Sequence, residues 1–337
     1  MMQLVNGSMV DYSRTARRPP WSSLPAVVQH RLATELGAPV ESMTLAGGGF
    51  TNGFAALLAG GDRRLFAKAA PSTDSMIFDA YVREAEVLAA LPQGLPIPLL
   101  RSSDLLSAGG TQWQVLCFEA VDGSMPGRPW TSGDLGAIHE SLLGVQSGLQ
   151  RLSPGLSGPS MVDEFFGDGA RTDVFARLAR NGAAPAYLPT LSVRRMLDLQ
   201  ALAELGADAL IGDSVLHNDL RADNIIISRG GAQTEPPRAV FCDWNFLSTG
   251  PPWADWVALL VYPRSAGIDV DHLLAESPLS AGAEPDHVDA WLAVLASYMI
   301  TSGAQPELSS SPQLRPHQRF TARILIDWLN KRRKWES

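Results

Sequence analysis

The sequence predicts an α+β chain in two lobes: an N-terminal antiparallel sheet with one main helix, then a mostly helical C-terminal lobe. Three observations carry this. Between Met43 and Glu119, short apolar runs alternate with glycine-containing turns, the pattern of successive strands. From Ser132 onward, apolar residues recur at spacings of three and four, the pattern of packed helices. Between those helices, Val215 to Trp244 reads as a hairpin of two apolar runs, entered by a polar loop rich in His, Asp, Arg and Asn. The expected division is a poorly specified arm over 1–22, a first lobe over 23–123 and a helical lobe over 124–337.

Composition narrows the function classes. The 337 residues are 45% hydrophobic and 18% charged, so the chain is globular and long enough for a sizeable core. A net charge of −8 argues against a nucleic-acid partner and is compatible with a cationic small molecule without requiring one. Cys117 and Cys242 both lie in apolar runs, which reads as buried free thiols in a reducing compartment. No basic-then-apolar leader and no membrane-length apolar run is present, so the expectation is a soluble, cytoplasmic monomer or homodimer with no membrane partner.

Along the chain, Arg17-Arg18-Pro19-Pro20 breaks regular structure, and Leu24 to Leu36 has helical spacing closed by Gly37. Met43-Thr44-Leu45 leads through Gly47-Gly48-Gly49-Phe50-Thr51 into Phe54 to Leu58, a hairpin whose turn amides at Gly48, Gly49 and Thr51 could cover phosphates. After Gly61-Asp62 comes Arg64 to Ala69, with Lys68 inside an apolar strand. An ammonium there is costly unless paired. On the next helix Tyr81, Glu84, Leu88 and Leu91 share one stripe, whereas Glu86 points about 160° away from Glu84 at ~100° per residue. Glu84 is therefore the expected partner of Lys68.

Two more strands meet at Gly109-Gly110, and the second ends in Phe118-Glu119-Ala120-Val121-Asp122-Gly123. Helices are expected over Asp134–Leu149, Val193–Leu210, Asp286–Ser302 and Pro316–Lys334. The stretch between Pro154 and Thr172 reads as a loop carrying Asp163, Glu164, Phe165, Phe166 and Asp168. Its carboxylates could meet substrate amines or simply be solvated.

The central motif is His217-Asn218-Asp219-Leu220-Arg221-Ala222-Asp223-Asn224, followed across the hairpin by Asp243 and, twelve positions later, by Asp255. This His-x-Asp-x-x-x-x-Asn…Asp pattern resembles the catalytic loop and metal site of the protein-kinase-like fold, in particular its aminoglycoside phosphotransferase and choline kinase branch. The resemblance spans about Met43 to Val261. It implies Asp219 as the base that accepts the acceptor hydroxyl's proton, with Arg221 neutralising charge beside it and His217 holding the loop. It implies Asn224 and Asp243 as Mg²⁺ ligands, Lys68 as the grip on the donor phosphates, and Glu84 as its orienting carboxylate. It further implies that backbone groups of Glu119 and Val121 read the adenine edge, and that Asp255 braces the catalytic loop. Two departures stand out: Trp244-Asn245 replaces Phe-Gly, and Asn218 sits where many relatives have Gly.

The short interval from Asp243 to Asp255 leaves no room for the long activation segment of protein kinases. The expected function is therefore transfer of a phosphoryl group from ATP or GTP, with Mg²⁺, to a hydroxyl of a small molecule. By resemblance the first acceptor class is an aminoglycoside or related antibiotic or natural product. The alternatives are a nucleotide-binding pseudokinase or scaffold without turnover and, third, a protein kinase.

Overall fold

A computed structural model describes residues 2–5, 8–12, 14–149, 158–168, 172–228 and 236–335. The arm holds more order than its sequence suggests: β1 (Met2–Val5) pairs antiparallel with β2 (Ser8–Asp11). Helix α1 (Ala26–Leu36) follows and stops at Gly37, whose φ of 73° suits the left-handed cap that glycine adopts freely.

The first lobe is built on five strands. They are β3 (Ser42–Leu45), β4 (Phe54–Gly60), β5 (Arg63–Pro71), β6 (Leu100–Ala108) and β7 (Thr111–Glu119), antiparallel throughout in the order β3-β4-β5-β7-β6. Helix α2 (Ser75–Ala90) connects β5 to β6. Side chains alternate across a strand, and here that alternation places the chemistry. Leu65, Ala67 and Ala69 pack with Val28, Leu32 and Leu36 of α1 on one face. Phe66 and Ala70 pack with Ile77 and Tyr81 of α2 on the other. Lys68 shares the parity of Phe66 and Ala70, so its ammonium is directed toward α2 and the interior of the molecule.

The second lobe is helical apart from short strand pairs. After β8 (Gly123–Ser124) come α3 (Ser132–Leu149), α4 (Met161–Phe166), α5 (Val174–Asn181) and α6 (Val193–Ala209). Next, β9 (Ser214–Leu216) leads into the polar loop, and β10 (Ile225–Ser228) pairs with β11 (Arg238–Phe241) in the expected hairpin. Its turn, 229–235, lies outside the described residues. β12 (Ser248–Gly250) pairs back onto β9, and α7 (Ala254–Ser265) begins four residues later. The chain closes with α8 (Val270–Glu276), α9 (Pro285–Gly303) and α10 (Leu314–Arg332). The core gathers Trp244, Trp256, Trp291 and Trp328, all fully buried. Three of their indole N–H groups are satisfied: Trp244 donates to the Phe241 carbonyl, Trp291 to that of Ala254, and Trp328 to the Asp271 carboxylate.

The four helices expected in the second lobe are present with ends shifted by a few residues. The supposed loop from Pro154 to Thr172 contains the short helix α4, capped by the Ser160 hydroxyl, which accepts the Asp163 N–H. Residues 154–157 and 169–171 of that stretch lie outside the described residues. Cys117 is buried and Cys242 half-buried, both as free thiols. No described helix is long and apolar enough to cross a membrane.

Candidate active site

The polar loop is braced from α7. The Asp255 carboxylate, 5% exposed, accepts the backbone N–H of His217 at 2.7 Å and of Asn218 at 2.9 Å. Between them the chain turns through the left-handed region at Asn218, with φ 60°, a conformation that asparagine tolerates better than most residues. The buried His217 ring donates from Nε2 to the Cys242 carbonyl at 2.7 Å and accepts the Asp219 N–H on Nδ1 at 3.3 Å. Burial lowers its pKa. With both nitrogens committed, the ring ties the loop to the hairpin as a neutral group.

Asp219 projects from this braced loop. Its carboxylate meets the Arg221 guanidinium and accepts Asn224 Nδ2 at 3.1 Å. Burial raises the Asp219 carboxyl to about 6, and Arg221 opposes that rise. Asn224 Nδ2 also donates to the Asp219 carbonyl at 2.8 Å. Its other amide atom, Oδ1, is buried and meets no hydrogen-bond partner. Such an orphan is expensive in a protein interior unless something else uses it. Arg221 is shared: besides Asp219 it holds Asp223 through Nε at 3.0 Å and Nη2 at 3.2 Å, and it lies 5.3 Å over the Phe50 ring.

Across the cleft, Lys68 Nζ bonds both oxygens of Glu84 at 2.7 Å and also the Asp243 carboxylate. Burial alone would lower Lys68, but Asp243 and Glu84 outweigh it and hold the ammonium above its usual range. Burial pushes the Glu84 carboxyl up, and Lys68 offsets only part of that. Glu86, the rejected partner, is exposed and lies 3.6 Å from Arg83. Asp243 adopts φ 64°, a strained conformation for a non-glycine residue, at the point where its carboxylate enters the cleft.

The glycine turn closes the cleft from above, and the arm holds it. Thr15 Oγ1 donates to the carbonyls of Gly47 and Gly49, and its N–H also donates to Gly47. Arg18 donates to the carbonyls of Ala46 at 3.1 Å, Gly48 at 2.8 Å and Gly53 at 2.9 Å. In a trans peptide the carbonyl and the next N–H point opposite ways, so holding Gly48 O toward Arg18 turns the Gly49 N–H into the cleft. That N–H donates to Asp223 Oδ2 at 2.9 Å. The amide thus already faces an anionic oxygen. A Cβ on Gly48 would lie 2.8 Å from the Asp223 Cβ, so this close approach requires glycine.

On the far side, Ser311 Oγ donates to the Phe50 carbonyl, and the Phe50 ring lies 4.7 Å from the buried His317 ring. Tyr12 and Tyr262 pack on the same imidazole, and Tyr12 Oη lies 3.0 Å from His317 Nδ1. Burial, with the charge of Arg221, lowers His317 to about 3. The ring is therefore neutral in the folded state but takes a proton below ~6.5 in the unfolded chain. Stability is complete above that pH and falls as pH drops toward the folded pKa, by about 2 kcal/mol at pH 5 from this group alone. Denaturant unfolding at pH 7 and pH 5 should show that loss, and His317→Asn should shrink it; an equal loss in the variant would contradict the assignment.

Most of these groups line one cavity of about 760 Å³. Gly48, Gly49, Thr51, Lys68, Glu84, Glu119, Val121, Asp219, Arg221, Asp243 and Asp255 face it, whereas His217 and Asn224 stand behind its wall. The Glu119 N–H donates to the Leu99 carbonyl at 2.9 Å, and its carboxylate accepts the Leu99 N–H at 3.0 Å. The donor set fits Mg²⁺: the unpartnered Asn224 Oδ1 and the Asp243 carboxylate supply two hard oxygens, and such sites take the rest from phosphate and water. No cluster of three or more His, Cys, Asp or Glu suited to a metal occurs among the described residues.

The sequence reading missed Thr15, Arg18, Asp223, His317 and Ser311. Only Asp223 carried a signal, as a second acid inside the polar loop.

The fold defined by this sheet, cleft and helical lobe is protein-kinase-like. A family model described as the phosphotransferase enzyme family matches residues 42–291, and the chain belongs to that family. No curated protein sequence matches it. Among solved structures, a thermostable mutant of aminoglycoside phosphotransferase APH(4)-Ia, in ternary complex with AMP-PNP and hygromycin B, superposes with a TM-score of 0.56. It is 13% identical over 92% of this chain and 100% of that chain. Spectinomycin phosphotransferase APH(9)-Ia, in complex with ADP and spectinomycin, also gives 0.56, at 11% identity over 92% of this chain and 99% of that one. The GDP complex of an aminoglycoside 2′-phosphotransferase-IIIa mutant gives 0.51, at 12% identity over 92% and 98%.

Proposed function

We propose that this phosphotransferase moves the γ-phosphoryl group of ATP or GTP, with Mg²⁺, to a hydroxyl of a small molecule. The observation that carries the reading is the convergence of Lys68, Asp219, Arg221 and Asp243 on one cavity, with Asn224 Oδ1 left free behind it. Asp219 orients the hydroxyl and accepts its proton as the new O–P bond forms and the nucleoside diphosphate leaves. Lys68, fixed by Glu84, holds the donor phosphates from the sheet side. Arg221, already close to the base, balances charge growing on the transferred group. The Gly48 and Gly49 amides, aimed by Thr15 and Arg18, meet phosphate oxygens in the place Asp223 now occupies. Asn224 and Asp243 are the residues that would hold Mg²⁺, which when bound neutralises the donor phosphates.

The Asp243-to-Asp255 interval holds only a single 3₁₀ turn and β12, which supports a small acceptor over a protein. Solved relatives carrying hygromycin B or spectinomycin make hydroxylated antibiotics and related natural products the first class to test. The test is Mg²⁺-dependent consumption of ATP and GTP by the purified chain across such compounds. Stimulation by an acceptor is expected. Nucleotide binding that no acceptor converts into turnover would favour a scaffold instead.

A further inference from the structure

Every carboxylate that faces the cavity among the described residues can be followed to what it touches. Glu84 and Asp243 share Lys68, and Asp219 and Asp223 share Arg221. Asp255 is taken by two backbone N–H groups, and Glu119 by that of Leu99. Glu164, beside the polar loop, meets among the described residues only a neutral amide, Asn218 Nδ2, at 2.5 Å. That amide belongs to the residue next to the proposed base, so Glu164 marks the acceptor side of the cavity. Burial raises the Glu164 carboxyl, the Asn218 bond opposes this, and the charge of Asp219 adds to it. Asp163 and Asp168, its neighbours in sequence, are exposed and do not line the cavity. Segments 150–157 and 169–171, which flank the described part of this stretch, contain Arg151 and Arg171 but no Asp or Glu.

The wall around Glu164 is aromatic. Phe165 packs edge-on against the buried Trp291 at 5.1 Å and against Tyr298 at 6.2 Å, and Phe165 and Tyr298 present their rings to the cavity. Tyr298 is 49% exposed although it sits on the core helix α9. Its phenol lies within electrostatic reach of both Asp219 and Glu164. Arg315 also lines the cavity, its guanidinium bonding the Pro306 carbonyl and Gln318 Oε1. Such a surface removes water from whatever it covers. One ammonium can be repaid by Glu164 and by the ring faces. A second or third would lose its hydration with no further carboxylate beside Glu164, among the described residues, that is not already held by a cation or a backbone N–H.

We propose that the acceptor carries a single protonated amine on an otherwise uncharged, largely apolar body. Glu164 takes the amine, and Phe165, backed by Trp291, and Tyr298 take the body beside Asp219. This rests on the kinase reading above and narrows it against polyamine acceptors.

The experiment uses the full chain with Mg²⁺ and ATP. Three hydroxylated probes are compared: a macrolactone bearing one tertiary amine, its uncharged desamino analogue, and an aminoglycoside with several amines. The macrolactone should show a kcat/KM at least about tenfold above the aminoglycoside. Glu164→Gln should raise the KM for the macrolactone about tenfold, with little change in kcat, and so erase its advantage over the desamino analogue. Tyr298→Ala should raise the KM for both lactones, and Tyr298→Phe should restore it. Both positions are exposed, so these changes leave the core intact. Equal or better use of the aminoglycoside would overturn the proposal. So would an unmoved KM in Glu164→Gln, or nucleotide binding with none of the probes phosphorylated. In those cases Mg²⁺-dependent nucleotide binding would survive; its absence in the unmodified chain would instead sink the kinase reading itself.

Discussion

Asp219→Asn lowers turnover by roughly 10²–10⁴-fold, the range expected when a general base is removed, while nucleotide affinity stays close to that of the parent. The change exchanges one oxygen for an NH₂ group and keeps the shape of the side chain. The loop does not depend on that carboxylate for its path: Asp255 holds the His217 and Asn218 amides, and His217 is anchored to Cys242. What disappears is the oxygen proposed to accept the hydroxyl proton and the charge that faces Arg221. Steady-state rates beside calorimetric nucleotide binding separate the two effects. Near-normal turnover would mean that another group orients the nucleophile.

Asp243→Ala should abolish the Mg²⁺-dependent part of nucleotide binding. Asp243 is the carboxylate common to the Lys68 cluster and the proposed metal position, so its removal strips one hard ligand and leaves Lys68 to Glu84 alone. The backbone at this position is left-handed, with φ 64°, and alanine is strained there by about 1–2 kcal/mol. Asp243→Asn tolerates that conformation better and serves as the companion that isolates the charge. Titrating ATP with and without Mg²⁺ should show a large difference in the parent and almost none in either variant. A parent-like Mg²⁺ dependence in both would take Asp243 out of the metal site.

What the sequence revealed and what it hid differ for physical reasons. A lysine in an apolar strand needs a carboxylate, and helical phase alone separates Glu84 from Glu86; the Lys68–Glu84 contact at 2.7 Å follows that logic. The polar loop was readable because Asp219, Asn224 and Asp243 are tied to a hairpin whose strands have clear β-type composition. The arm was not. Arg18 and Thr15 act on main-chain carbonyls some thirty positions away, and such bonds leave no side-chain pattern to read. Breaker residues around Arg18 even pointed the other way. The same holds for Glu164: three acids lie close together in sequence, and only the local path of α4 turns one of them, with Phe165, into the cavity. His317 looked like an ordinary residue of an amphipathic helix because its partners, Tyr12, Phe50 and Tyr262, come from three distant segments.

The central claim is that a phosphoryl group passes from nucleotide to an acceptor hydroxyl under Asp219. Phosphorus NMR of the products tests it most directly, with the purified chain, Mg²⁺, ATP or GTP, and a hydroxylated acceptor that stimulates nucleotide consumption. The expected result is a new phosphomonoester signal, formed one for one with the nucleoside diphosphate and lost in Asp219→Asn. Nucleoside diphosphate accompanied only by inorganic phosphate, or a phosphomonoester formed equally well by the Asp219→Asn chain, would contradict it.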